Sequence, residues 1–192
     1  MEGKIIIISA PSGCGKSTII KALMERGNFE AEFSVSATNR PPRPGEKHGV
    51  NYYFLTDSEF HNHIEACDFV EYEEVYPGRF YGTLKSEIDR RIEGGQNIIL
   101  DIDVKGALNV KRLYGSKAVA IFIEPPSIDA LSERLTSRGT ENAETLKARL
   151  DRAEYEITFA PQFDYTVVND NLEQAIDDTE KIITDFIDNT DK

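Results

Sequence analysis

Apolar residues along this chain fall into two recurring patterns. Short, unbroken, β-branched runs occupy Lys4–Ser9, Gln96–Ile102, Lys117–Ile123 and Tyr165–Asn169. Runs without polar alternation predict strands buried on both faces of a parallel sheet. Between and after them the apolar positions recur with helical spacing, over Lys16–Glu25, Lys85–Glu93, Asp103–Leu113, Ser127–Ser137, Ala143–Phe159 and Leu172–Ile187. Pro125 and Pro126 close one strand, and Ser127 caps the helix that follows. This alternation predicts an α/β fold, a parallel sheet with helices on both faces.

Two regions break the alternation. Residues 33–84 are rich in Tyr and Phe, with short alternating segments at Phe33–Thr38, Asn51–Leu55 and Phe69–Val75 and one helix near Asp57–Cys67. They predict a small antiparallel insert with one helix, mixed α+β, placed on the core. Residues 135–150 contain Arg138-Gly139-Thr140 and a polar helix start, the pattern of a hinged, helical lid. The division is a core of residues 1–33, 85–134 and 151–192, an insert of 34–84 and a lid of 135–150.

Composition narrows the class. The chain has 192 residues, 40% hydrophobic and 29% charged, which suits one globular domain with a sizeable core. No stretch approaches the ~20 apolar residues of a membrane span, and the first strand begins too early for a signal peptide. A net charge of −12 argues against a nucleic-acid surface. Cys14 and Cys67 are the only cysteines, one in a loop and the other in a predicted helix, which argues against a structural disulfide, so the expectation is a cytoplasmic protein. Cys14 is also a candidate redox-sensitive position. His48, His61 and His63 carry no assignable role, since the latter two lie two apart on a helix and do not share a face.

The chemistry starts at Ala10-Pro11-Ser12-Gly13-Cys14-Gly15-Lys16-Ser17-Thr18. The spacing is that of a phosphate-binding P-loop, with Ala10 at the first glycine position. A buried strand leads in and an amphipathic helix leads out, which aims backbone N–H groups at an anion. Gly13 and Gly15 permit close backbone approach. Lys16 can reach the β- and γ-phosphates of a nucleoside triphosphate, and the Ser17 hydroxyl can ligate Mg²⁺. Asp101, at the end of Ile98-Ile99-Leu100, is a candidate second residue for hydrated Mg²⁺. An acidic chain that binds anions needs local positive charge. Arg40 and Arg43 supply it, flanking a Pro41-Pro42 pair that fixes their relative direction. Tyr52 and Tyr81 can donate hydroxyls to the same phosphate. Glu71 can accept from N1–H and the 2-amino group of guanine; facing adenine, the same buried acceptor would be unpaired. Ser36 and Thr83 complete a purine pocket.

These stretches together resemble the guanylate kinase family. The similarity runs through A-P-S-G-C-G-K-S-T, F-S-V-S-A-T-N-R-P-P-R-P-G-E, F-Y-G-T, I-L-D-I-D-V-K-G-A, P-P-S-I-D-A-L-S-E-R-L-T-S-R-G-T-E and V-V-N-D, in family order from about residue 3 to 186. The resemblance implies a P-loop NTPase fold with a GMP-binding insert, and phosphoryl transfer from ATP to GMP with Mg²⁺. It implies Arg40, Arg43, Tyr52 and Tyr81 on the GMP phosphate, and Ser36, Glu71, Thr83 and Asp103 around the guanine. It places lid arginines at Arg134, Arg138 and Arg149, and sets Asn169 and Asp170 beside the adenine. Lys16, Arg43, Arg138 and Arg149 then form the catalytic charge cluster. Lys105 stands where a glutamine is common in the family, and the stretch from Glu71 to Tyr81 is one residue longer than in some members.

Expected partners are ATP and GMP, with dGMP a further candidate and no nucleic acid or membrane; monomer and homodimer both stay open. So do three rival readings. A phosphopeptide-binding module of this fold typically lacks the loop lysine and the lid arginines, which this chain has. A GTPase would carry N-K-x-D, which does not occur in the sequence. A kinase for another monophosphate or for a sugar phosphate is disfavoured by Glu71.

Overall fold

The computed structural model describes residues 2–137 and 143–189. Strand β1 (Ile5–Ser9) is the centre of a five-stranded parallel sheet. Its neighbours are β7 (Ile98–Asp101) and β8 (Ala118–Glu124). Strand β2 (Glu32–Phe33) lies outside β7, and β9 (Tyr165–Val168) lies outside β8. Ile5, Ile6, Ile7 and Ile8 are fully buried, and they alternate between two cores. Ile5 and Ile7 pack with Ile88, Val104 and Val110 on one face. Ile6 and Ile8 pack with Ile20, Leu23, Ala175 and Ile183 on the other. A strand covered on both sides can afford no polar alternation, hence the run of isoleucines. Truncating any one of the four to Ala would cost ~2–5 kcal/mol.

Helix α1 (Lys16–Arg26) and the last helix, α7 (Leu172–Asp188), cover one face. Helices α3 (Lys85–Glu93) and α4 (Val104–Tyr114) cover the other. Asp103 caps α4, its Oδ1 accepting from the amides of Lys105 and Gly106 at 2.7 and 2.9 Å. Ser127 caps α5 (Ile128–Ser137), its Oγ accepting from Ala130 N at 3.1 Å. Helix α6 (Ala143–Ile157) packs on α5 through Leu131, Leu135 and Ala153. Among the described residues no helix is long and apolar enough to cross a membrane.

A second sheet holds β3 (Ala37–Thr38), β4 (Tyr53–Phe54), β5 (Phe69–Tyr76) and β6 (Arg79–Leu84), in the order β4-β3-β6-β5. Helix α2 (Asp57–Glu65) covers it through Phe60, which stacks on Phe69 at 4.5 Å. The sequence predicts an antiparallel insert. The sheet is mixed instead, because β3 and β4 pair in parallel while β3–β6 and β5–β6 are antiparallel. The segment Phe33–Thr38 also divides: Phe33 pairs with Ile99 in the main sheet, and only Ala37–Thr38 join the second. The chain therefore crosses between sheets at Ser34–Ser36 and again at Leu84–Lys85.

Candidate active site

The loop after β1 takes the conformation its glycines permit. Gly13 and Gly15 have φ of 97° and 87°, the left-handed region. Gly15 is the N-cap of α1, and Thr18 and Ile19 both donate to its carbonyl at 3.0 Å. Pro11 O accepts from Cys14 N at 3.2 Å, closing a turn around Ser12. Ala10 packs against both apolar clusters beside the loop. A Cβ on Gly15 would stand 2.6 Å from Asn169 Nδ2. That amide donates to Cys14 O at 2.7 Å, so Asn169, buried at the end of β9, braces the loop from below. Asp170 is exposed and offers its carbonyl to Arg134 at 3.5 Å.

Cys14 does not present a thiol to solvent. It is fully buried against Leu131, Leu135 and Ala153, and burial pushes its thiol up to about 12, partly opposed by Arg134. An apolar pocket suppresses the reactive thiolate, which weighs against the candidate redox reading of Cys14.

Lys16 Nζ lies 2.5 Å from Asp101 Oδ1. Asp101 ends β7 and lines two cavities. One, of about 360 Å³, is shared with Ser17, Ile20, Met24 and Phe33. The other, of about 260 Å³, is shared with Ser34, Ser36, Tyr52 and Thr83. The strand-end carboxylate thus stands between the loop helix and the second sheet. Among the described residues no group of three or more His, Cys, Asp or Glu could hold a metal by itself. A hydroxyl and a carboxylate sharing one cavity still fit Mg²⁺, whose remaining ligands are usually phosphate oxygens and water.

On the second sheet, Arg40 is held from several sides. Its guanidinium forks onto Glu46 with two bonds of 2.7 Å, and its Nε donates to Tyr81 Oη at 3.2 Å. It also lies over the Tyr52 ring at 5.1 Å. The Arg40 bonds, with the Arg43 amide at 2.6 Å, hold the Glu46 carboxyl down at about 2. The Arg43 side chain is exposed. The structure therefore brings Arg40, Tyr52 and Tyr81 together and leaves Arg43 at the rim.

Glu71 lies on β5 opposite Thr83 on β6, and Thr83 Oγ1 donates to its Oε1 at 2.6 Å. Burial pushes the Glu71 carboxyl up to about 7; the Thr83 bond opposes this, and the charges of Asp103 and Glu73 add to it. Gly106 lets α4 approach, since a Cβ there would stand 2.8 Å from Glu71 Cγ. A third cavity, of about 670 Å³, has Glu71, Asp103, Lys105, Arg152 and Tyr155 among its lining residues. Arg149 lies exposed on α6, one turn before Arg152. Arg138 falls outside the described residues.

Three features were missed from sequence. Asn169 as a brace has no one-dimensional signal, because its partner is 155 positions away. Arg40–Glu46 is a local pair whose spacing gave no hint of the fork. Asp103 as a cap had a signal that could have found it, since an acidic residue directly before an amphipathic run marks a helix start.

A family model described as Guanylate kinase matches residues 2–186. A protein of Bacteroides thetaiotaomicron named guanylate kinase is 54% identical over 187 residues, covering 97% of this chain and 91% of that protein. One of Porphyromonas gingivalis with the same name is 52% identical over 184 residues, covering 96% and 98%. The crystal structure of guanylate kinase from Anaplasma phagocytophilum is similar with a TM-score of 0.70 at 32% identity, over 98% of this chain and 88% of that one.

Proposed function

Because the chain belongs to the guanylate kinase family and transfers a phosphoryl group from ATP to GMP, giving ADP and GDP, we propose how its residues divide that work. The loop Ala10–Thr18 holds the ATP phosphates, with Lys16 on the β- and γ-phosphates. Arg134, Asn169 and Asp170 form the adenine side. Arg40, Arg43, Tyr52 and Tyr81 hold the GMP phosphate, and Ser36, Glu71, Thr83 and Asp103 frame the guanine. Residues 34–84 act as the acceptor module, 135–150 as the lid, and the rest as the core.

The observation that carries this reading is the position of Asp101. It is paired with the loop lysine and lines one cavity with Ser17 of the loop helix and another with Ser36, Tyr52 and Thr83. The attacking oxygen belongs to a phosphate and is already anionic, so the reaction needs no general base. What it needs is positive charge on the transferring group, and Lys16, Arg43, Arg138 and Arg149 supply it. Arginine suits the lid because its fork can follow a migrating phosphoryl group. Ser17 and Asp101 would hold Mg²⁺, which when bound offsets charge on the nucleotide phosphates. Closure of insert and lid excludes water and so protects ATP from hydrolysis. The setting we propose is the cytoplasm, without nucleic acid or membrane as partner; the net charge of −12 supports the first of those exclusions.

The test is a coupled assay of ADP formation with GMP, AMP, dTMP and CMP in parallel, on wild type, Lys16→Ala, Arg138→Ala and Glu71→Gln. Both cation variants are expected to lose at least ~100-fold in kcat, and Glu71→Gln to lose its GMP:AMP preference. Near-normal turnover in a cation variant, or an unchanged preference in Glu71→Gln, removes that residue from its role.

A further inference from the structure

Two side-chain hydroxyls are buried with no hydrogen-bond partner among the described residues, those of Ser9 and Ser34. Ser9 ends β1 beneath the phosphate loop. Ser34 is placed differently. It follows β2 directly, and its amide donates to Ile99 O at 3.1 Å, so the ladder of the main sheet fixes its position. It lines the 260 Å³ cavity together with Ser36, Tyr52, Thr83 and Ile102. A buried hydroxyl without a partner is costly, and native structures rarely leave one unless a ligand completes it.

The guanine edge specifies what is missing. Glu71 accepts from N1–H and the 2-amino group, which leaves O6 and N7, both acceptors, in need of donors. Thr83 cannot supply one while Glu71 is ionised, because its single proton is committed to Glu71 Oε1 at 2.6 Å. Tyr52 is engaged with Arg40 in the phosphate half, and Asn51 is exposed. The hydroxyls left at the buried end are Ser36 and Ser34. We propose that Ser34 is a specificity-determining residue of the acceptor cleft, donating its hydroxyl to the O6/N7 edge of guanine beside Ser36. This rests on reading Glu71 as the guanine-binding carboxylate. It adds to that reading an acceptor-edge contact: at O6, adenine would meet Ser34 with its 6-amino donor, donor against donor, whereas N7 is common to both purines.

Ser34→Ala and the near-isosteric Ser34→Cys, a much weaker donor, test it in steady-state assays with GMP, 7-deaza-GMP, 6-thio-GMP and IMP. Thermal melts confirm folding. Both variants are expected to raise the KM for GMP by about 10-fold, the scale of leaving a buried acceptor unpaired. KM for ATP and kcat should stay within about twofold. The loss should vanish against one analogue: 7-deaza-GMP if the contact is N7, 6-thio-GMP if it is O6. Equal losses against all substrates would mean a packing effect and overturn the proposal, as would an unchanged KM for GMP. IMP lacks only the 2-amino group. A GMP:IMP preference that survives in Ser34→Ala but is lost in Glu71→Gln keeps the Glu71 reading separate. A preference that survives in Glu71→Gln overturns that reading, whatever Ser34 does.

Discussion

Lys16 and Asp101 are direct partners, the loop lysine resting 2.5 Å from a carboxylate at the end of the neighbouring strand. A phosphate that draws Lys16 must compete with that carboxylate. Asp101→Asn removes the competitor while keeping the shape. The expected result, by calorimetry without metal, is ATP bound about 2–5-fold more tightly, the scale of a partly exposed ion pair. Turnover with Mg²⁺ should fall in the same variant. Weaker metal-free binding would show that the pair orients Lys16 rather than restrains it.

Glu71 gives a pH dependence of definite sign. Its carboxyl, raised to about 7 chiefly by burial, is protonated below that pH and cannot then accept both guanine donors. KM for GMP should therefore rise as pH falls below about 7, by up to tenfold per unit, while KM for ATP stays flat. A flat GMP profile between pH 5.5 and 8 would contradict the assignment.

The same shift is a stability statement. The folded carboxyl binds its proton more tightly than the unfolded one, so the folded state holds the extra proton between about 4.5 and 7. The destabilisation appears as pH rises through that window and is complete above 7. It is on the order of 3 kcal/mol as an upper bound. Glu71→Gln should thus raise Tm at pH 8 and change it little well below pH 4.5, where both states are protonated. Equal shifts at the two pH values would place the effect in packing instead of charge.

Glu46 is a positioning residue for Arg40. Glu46→Gln keeps one acceptor of the fork and loses the charge; Glu46→Ala loses both. KM for GMP should rise in the order wild type, Gln, Ala, with KM for ATP unchanged. A rise in both constants would point to a general loosening of the second sheet.

Thiol labelling separates the two cysteines. Native protein should take up one equivalent of a thiol reagent, at exposed Cys67, and a second only in denaturant. Cys14→Ala should retain activity, whereas Cys14→Ser, which buries a hydroxyl in an apolar pocket, should lower Tm. Rapid native labelling of Cys14 would show that α5 and α6 part from the loop more readily than their packing suggests.

The parts of this protein that were legible from sequence are those dictated by local pattern. Ile5–Ile8 could only be a doubly buried strand, and Gly13, Gly15 and Lys16 could only be read in the context of strand, loop and helix. What escaped depended on distant chain. Strand β2 is two exposed residues long and exists because β7 offers an edge to Glu32 and Phe33. The burial of Cys14 is set by Leu131, Leu135 and Ala153. The donation from Thr83 to Glu71 follows from a register that includes two irregularities along β5 and β6. Parallel pairing of β3 with β4 left no trace either, since two-residue strands carry too little pattern to fix direction.

The central place of β1 has a consequence for how the protein is made. Its hydrogen-bonding neighbours begin at Ile98 and Ala118. At ~5–20 residues per second, Ile5–Ile8 leave the ribosome on the order of 10 s before either neighbour exists. The second sheet, whose strands all lie between Ala37 and Leu84, can close during that wait. The second sheet is thus able to assemble first, while a bare run of four isoleucines waits unpaired. That run is a segment of the nascent chain in need of shelter from aggregation.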